Sequence, residues 1–216
     1  LPELWHADTG SVEPVSYRIE NGQTVVPLDL EASGSAFLVF RKPAPAPALN
    51  MAKREWVPAQ TVAGSWEVTF QAERGAPPSV ELETLVPLDE HSDPGIRYFS
   101  GVATYRTSFI LPKTSHGRML LDLGRVGDLA EVWVNGKKVG SPWMAPFRVD
   151  VGHAVRPGSN RLEVRVANLW VNGLIGDLQP GARKITFTTL ATYKADAPLR
   201  PSGLIGPVRL LTEVRR

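Results

Sequence analysis

Residues 129–167 offer strands and turns in an order that leaves little room for helix. In LAEVWVNGKKVG, Ala130, Val132 and Val134 fall on one face of an extended run and Glu131 and Trp133 on the other, because side chains alternate across a strand. Asn135-Gly136 supplies the two residues that tolerate positive φ in a tight hairpin turn, so residues 137–139 return as the partner strand. Residues 150–155 read as a short connector and Pro157-Gly158 as a turn. Leu162, Val164 and Val166 then alternate inward against Arg161, Glu163 and Arg165. One face is buried and the other is wet, as in an antiparallel sheet covering a core.

The flanks repeat the pattern. VSYRI and TVVPLDL flank a second Asn-Gly at Asn21-Gly22, and SAFLVFRK is apolar enough to read as a strand buried on both faces. Three such strands leave a sheet face uncovered, so the segment needs a packing partner. The alternating prolines of residues 43–48 favour polyproline II and remove backbone donors, which marks a boundary after residue 48. Beyond it, residues 66–70, 80–85, 103–110, 119–123, 184–190 and 208–214 read as strands. PLDEHSDPG reads as a surface loop, and LWVNGLIGDLQPGAR as a loop unusually rich in apolar residues. No stretch sustains helical periodicity, and no repeat of about 20–50 residues recurs. The fold class is all-β, with a small antiparallel sheet over residues 1–48 and a β-sandwich over residues 49–216.

The strand-Asn-Gly-lysine return, Pro146-Phe147 leading to Val149-Asp150, and Pro157-Gly158-Ser159-Asn160 before a strand ending at Asn168 together resemble the galactose-binding-like jelly roll that accompanies many glycoside hydrolases. With LWHADTG at the start, YFSGVATYRTSFILP and LDLGRVGDLAEVWVNGKKVG in the centre, and ANLWVNGLIGDLQPG and LRPSGLIGPVRLL after them, nearly the whole chain is similar to the carboxy-terminal portion of glycoside hydrolase family 106, the α-L-rhamnosidases. That resemblance implies a larger enzyme in which a (β/α)-barrel carries inverting, calcium-assisted hydrolysis of terminal α-L-rhamnose. It also implies an extracellular or periplasmic location. The strand-helix series of about 250 residues that a barrel requires is absent from these 216 residues, so none of the family's catalytic positions maps onto them.

Composition narrows the chemistry. The 24 Lys and Arg nearly balance 22 Asp and Glu and lie scattered, which argues against nucleic acid as a partner. No apolar run approaches the roughly 20 residues that span a bilayer, no charged-then-apolar leader precedes Leu1, and membrane is not an expected partner. A start without methionine is expected of a processed product or an excised piece. The chain has 0 cysteines, which excludes thiolate metal sites and disulfides. Calcium, held by turn carbonyls and a carboxylate, is the one cofactor left open, with no ligands assignable. No nucleophile elbow, His-x-x-x-His spacing or phosphate loop occurs. Asp89, Glu90 and Asp93 sit in one turn-rich loop, where carboxylates serve as turn formers more often than as catalytic pairs. No catalytic residue is assigned.

Sugar recognition remains. A pyranose presents an apolar face and a rim of hydroxyls, so its site wants a flat aromatic beside planar polar groups. The candidates are Trp143 in a Ser-Pro-Trp-Met loop, and Trp170 with Asn168, Asn172 and Asp177 around it. Against this, Trp170 can equally fill the end of the sandwich or press on a missing barrel. Trp66 and Trp133 sit within strands and are expected in the core. Asn135 and Asn160 are explained by turns, His153 and His116 also fall in turns, and Arg125 can pair with Asp128 across a Gly turn. The reading is a non-catalytic accessory region of a rhamnosidase-like glycoside hydrolase, with a carbohydrate and the catalytic barrel as partners. An autonomous carbohydrate-binding module and a small self-contained hydrolase are the alternatives. If a barrel covers this region in the parent, the first sheet or the Trp170 loop should expose an apolar patch.

Overall fold

The computed structural model describes the chain apart from Asp8, Ser33, residues 113–116, Arg216 and the side chain of Arg215. His116 therefore lies outside the described residues. Two compact units are formed, one of Leu1–Glu55 with Val214–Arg216 and the other of Trp56–Glu213. No helix among the described residues is long and apolar enough to cross a membrane.

The first unit holds β1 (Pro2–Trp5), β2 (Val12–Pro14), β3 (Tyr17–Glu20), β4 (Gln23–Val25), β5 (Phe37–Phe40) and β6 (Ala48–Leu49). They form two small sheets, in the orders β2-β1-β5 and β4-β3-β6. Asn21 and Gly22 take the positive φ that the β3–β4 hairpin turn demands. The alternating prolines are tied into this unit: Tyr17 Oη donates to Ala46 O at 2.9 Å and Ile19 N to Pro47 O at 2.8 Å. β5 was expected to be buried on both faces, yet Phe37 and Phe40 are 63% and 55% exposed. The strand is the edge of a three-stranded sheet and has no second layer over these rings.

The second unit carries β7 (Arg54–Thr61), β8 (Trp66–Phe70), β9 (Ser79–Leu82), α1 (Pro94–Arg97), β10 (Val102–Leu111), β11 (Met119–Asp122), β12 (Arg125–Val126), β13 (Asp128–Val134), β14 (Lys137–Gly140), β15 (Arg148–Asp150), β16 (Gly158–Asn168), α2 (Val171–Gly176), β17 (Leu204–Gly206) and β18 (Arg209–Arg215). A six-stranded antiparallel sheet, β14-β13-β16-β10-β8-β9, and a four-stranded sheet, β15-β11-β18-β7, enclose the core, with β12 and β17 pairing separately. Register explains the packing. Val132, Val164, Tyr105 and Val68 stand opposite one another across four neighbouring strands, all fully buried. Leu121, Val149 and Leu210 form a corresponding row in the smaller sheet. Burying each such side chain contributes about 1.5–3 kcal/mol against conformational entropy.

The outward row corrects one expectation. Trp133 is not core: the alternation that buries Val132 and Val134 turns Trp133 out, where the Arg165 guanidinium lies 4.2 Å from its ring centroid and Lys138 Nζ 5.5 Å. Glu163 opposite accepts from Arg106 at 2.9 Å and Arg165 at 2.8 Å. Partial burial raises the Glu163 pKa, but these two guanidinium bonds outweigh it and the net displacement is downward.

Asn135 and Asn160 do more than turn the chain. Asn135 takes φ 52° at the β13–β14 turn, and its Nδ2 donates to Ala154 O and to Asn160 Oδ1, both at 2.9 Å. Asn160, wholly buried, also donates to Arg156 O and Gly158 O and accepts from Arg156 N at 2.8 Å. The buried Asn160 and the half-buried Asn135 thus join the hairpin to the connector that leads into β16.

Candidate functional site

The loops at one end of the sandwich gather the residues singled out above. β16 runs antiparallel to both β10 and β13, and Asp128 stands opposite Asn168 and Val102 opposite Ala167. The residues leaving β16, entering β10 and entering β13 therefore converge. Beyond β14 the chain follows β13 back, with Ala130 N donating to Pro142 O at 3.0 Å, so Trp143 reaches this same end. LWVNGLIGDLQPGAR, expected as a loop, contains α2, a helix of 6 residues that starts after Trp170 and buries Asn172, Gly173 and Ile175. Its apolar spacing over one and a half turns is too short to stand out as periodicity.

The polar candidates are all engaged internally. Asn168, 8% exposed, donates through Nδ2 to Gly101 O at 3.0 Å and accepts from Gly203 N at 2.6 Å. Asn172, 2% exposed, donates to Arg200 O and accepts from Arg200 N, each at 2.8 Å. Asp177 closes α2 and accepts the amides of Ile185 and Thr186 and the Thr186 hydroxyl. Each completes the hydrogen bonding of a buried or turning backbone, which would otherwise cost about 1–3 kcal/mol per group. Sequence reasoning missed two supports of the same kind. Asp89 accepts from Ser202 N at 2.9 Å, and Ser100 Oγ accepts from Gly173 N at 2.7 Å. Asp93 caps α1 by accepting from Gly95 N at 2.8 Å, so the acidic loop builds structure.

The aromatic candidates are exposed. Trp143 is 59% and Trp170 48% accessible, beside Leu129, Leu169 and Leu178 at 42–48%. One side of Trp170 is covered by the Arg74 guanidinium, 4.9 Å from the ring centroid. The depression at this end, lined by Asp128, Leu169, Val171, Asn172, Arg200, Pro201 and Ser202, has a volume of about 10 Å³, room for roughly one water. Ligand pockets begin near 300 Å³. Among the described residues no three His, Asp or Glu side chains gather to hold a metal ion, and the Asp177 carboxylate accepts backbone amides.

Arg125 does not pair with Asp128 as expected. Asp128, at φ 146°, accepts instead from Leu169 N at 3.2 Å. Partial burial raises the pKa of its carboxyl, more than the Leu169 amide and the charge of Arg200 lower it. The folded chain then holds this proton to higher pH than the unfolded chain, so stability from this group rises as pH falls through the carboxylate range. Asp128→Asn keeps an acceptor and removes the titration. Urea unfolding is expected to find the variant's advantage largest near pH 7 and shrinking towards about pH 4; an advantage that grows on acidification would contradict the assignment.

Residues 88–193 match the family model described as glycosyl hydrolase 2 galactose-binding domain-like. The chain is 35% identical over 176 residues to a putative beta-glucuronidase of Formosa agariphila, covering 69% of this chain and 15% of that protein. It superposes on the rhamnosidase from Novosphingobium sp. PP1Y with a TM-score of 0.92 at 58% identity, over 99% of this chain and 20% of that one. The chain thus spans a fifth or less of the length of both relatives.

Proposed function

Starting from a chain that carries a glycosyl hydrolase 2 galactose-binding-like domain over residues 88–193, we propose that it serves as a non-catalytic accessory region of a family 106-type α-L-rhamnosidase. In this reading the barrel that cleaves terminal α-L-rhamnose lies elsewhere in the polypeptide. The Trp143–Trp170 end of the sandwich rests against it, at the margin of the substrate cleft. The location is extracellular or periplasmic, where rhamnose-containing glycans are met.

One observation carries the choice. Aromatic and aliphatic surface is exposed at this end while Asn168, Asn172 and Asp177 are already bonded internally. A sugar site needs free planar polar groups beside its aromatic ring, whereas a docking surface needs apolar area with its polar groups satisfied. The 59% exposure of Trp143 favours autonomous carbohydrate binding as the second reading. Calorimetry with rhamnosides, galactosides and plant or microbial polysaccharides, beside an aryl rhamnoside assay, separates the two. The accessory reading expects neither heat nor turnover from the chain alone. Glycan binding abolished by Trp143→Ala would support the module, and turnover by the pure chain would overturn both.

A further inference from the structure

We propose that residues 184–190 are a docking strand, which adds to an exposed sheet edge in the remainder of a rhamnosidase-like hydrolase polypeptide. This deepens the accessory reading and rests on it. KITFTTL was expected to form a strand in this chain, and its β-branched and aromatic residues with period-2 alternation suit one. In the structure it runs outside any sheet. Among the described residues no backbone–backbone hydrogen bond involves residues 183–193, and the amides of Phe187, Thr188 and Thr189 have no partner.

Phe187 and Leu190 are the most exposed large apolar side chains described, at 84% and 73%. The strap bends at Thr189 and Leu190, where the Thr188 hydroxyl donates to Leu190 O and accepts from Leu190 N, so docking would straighten this turn. Exposed apolar groups beside unpaired amides are what strand addition uses: the main chain provides affinity and the side chains fill pockets. The segment is also held in advance of any partner. Asp177 accepts from Ile185 N and Thr186 N at its root, and Gln179 Nε2 donates to Ala195 O at 2.9 Å beyond it. Such anchoring reduces the ordering cost of docking. The occupant follows from the solved relative. The Novosphingobium rhamnosidase contains this fold at 58% identity as 20% of its chain, and the other four-fifths of that polypeptide is available to cover the strap.

The test is hydrogen–deuterium exchange at residues 187–190, in the chain alone and in a chimera in which it replaces the matching fifth of the Novosphingobium rhamnosidase. Exchange is expected to be fast in the chain alone and at least about 100-fold slower in the chimera. Phe187→Asp with Leu190→Asp should restore fast exchange and expose the domain to limited proteolysis. A strap that exchanges equally fast in both, while the backbone at Trp143, Leu169 and Trp170 slows, would overturn the docking strand and leave the accessory reading standing. No slowing anywhere at this end would overturn both. Slowing in the chain alone that grows with its concentration would identify a second copy as the occupant, against the proposal. Should the chimera not fold, the aligned amides of the unmodified rhamnosidase supply the same comparison, and rapid exchange there overturns the proposal.

Discussion

Replacing Gly203 by alanine is expected to lower the midpoint of thermal unfolding by about 10 °C. Gly203 holds φ +85°, and a Cβ placed there would meet the Tyr105 hydroxyl oxygen at 2.4 Å and Leu88 Cγ at 2.6 Å. Neither neighbour can retreat, since both are fully buried. The Tyr105 hydroxyl makes no hydrogen bond of ordinary geometry, and burial pushes its ionisation far upward, more than the nearby Leu204 backbone lowers it. The left-handed backbone costs alanine about 1 kcal/mol and the overlap about 2–3 kcal/mol more. Gly203 N also supplies the bond to Asn168 and Gly203 O accepts from Gly127 N at 2.8 Å, so displacement would loosen the whole candidate end. Gly181, at φ +75° with nothing within 4 Å of its Cβ position, is the control. Gly181→Ala should show the backbone cost alone, about 1 kcal/mol. Equal losses at the two positions would mean that the packing around Gly203 yields.

Removing the Asn160 side chain is expected to cost about 3 kcal/mol, read from the urea midpoint at constant slope. The amide sits where no water reaches it and bonds Asn135, Arg156 and Gly158. Asn160→Ala leaves the Arg156 amide and the Asn135 side-chain donor short of acceptors in a partly buried setting. Asn135→Gly preserves the positive φ of the hairpin and deletes only its side-chain bonds, so it separates turn from network. The double variant should lose less than the sum of the singles by about 1 kcal/mol, the mark of a shared interaction. Strict additivity would show that the two amides act independently.

What the sequence could show follows from how far each cause lies along the chain. Period-2 burial is local, so Leu162, Val164 and Val166 announce their face without reference to any partner. The Asn135-Gly136 turn is equally local. Trp133 was placed in the core because it lies within a strand, yet the strand's alternation puts it on the face opposite Val132 and Val134, where Arg165 covers the ring. Residues 184–190 have a strand's composition and no strand to pair with, and pairing is a property of the partner. The candidate end was legible as an apolar, Asn-rich segment. Its chemistry was not, because an asparagine that bonds a sugar hydroxyl and one that bonds a distant backbone read alike. Asn168 is bonded to Gly101 and Gly203, and Asn172 to Arg200, contacts that only the folded chain creates.

The central claim is that the Trp143–Trp170 end is apolar docking surface rather than a sugar site. Oxidative footprinting of these two tryptophans by mass spectrometry tests it most directly, in the chain alone, in the chain with rhamnose-containing glycan, and in the rhamnosidase chimera. Both rings should oxidise readily in the first two samples and be protected in the chimera. Protection by glycan in the isolated chain, with no protection in the chimera, would contradict the claim.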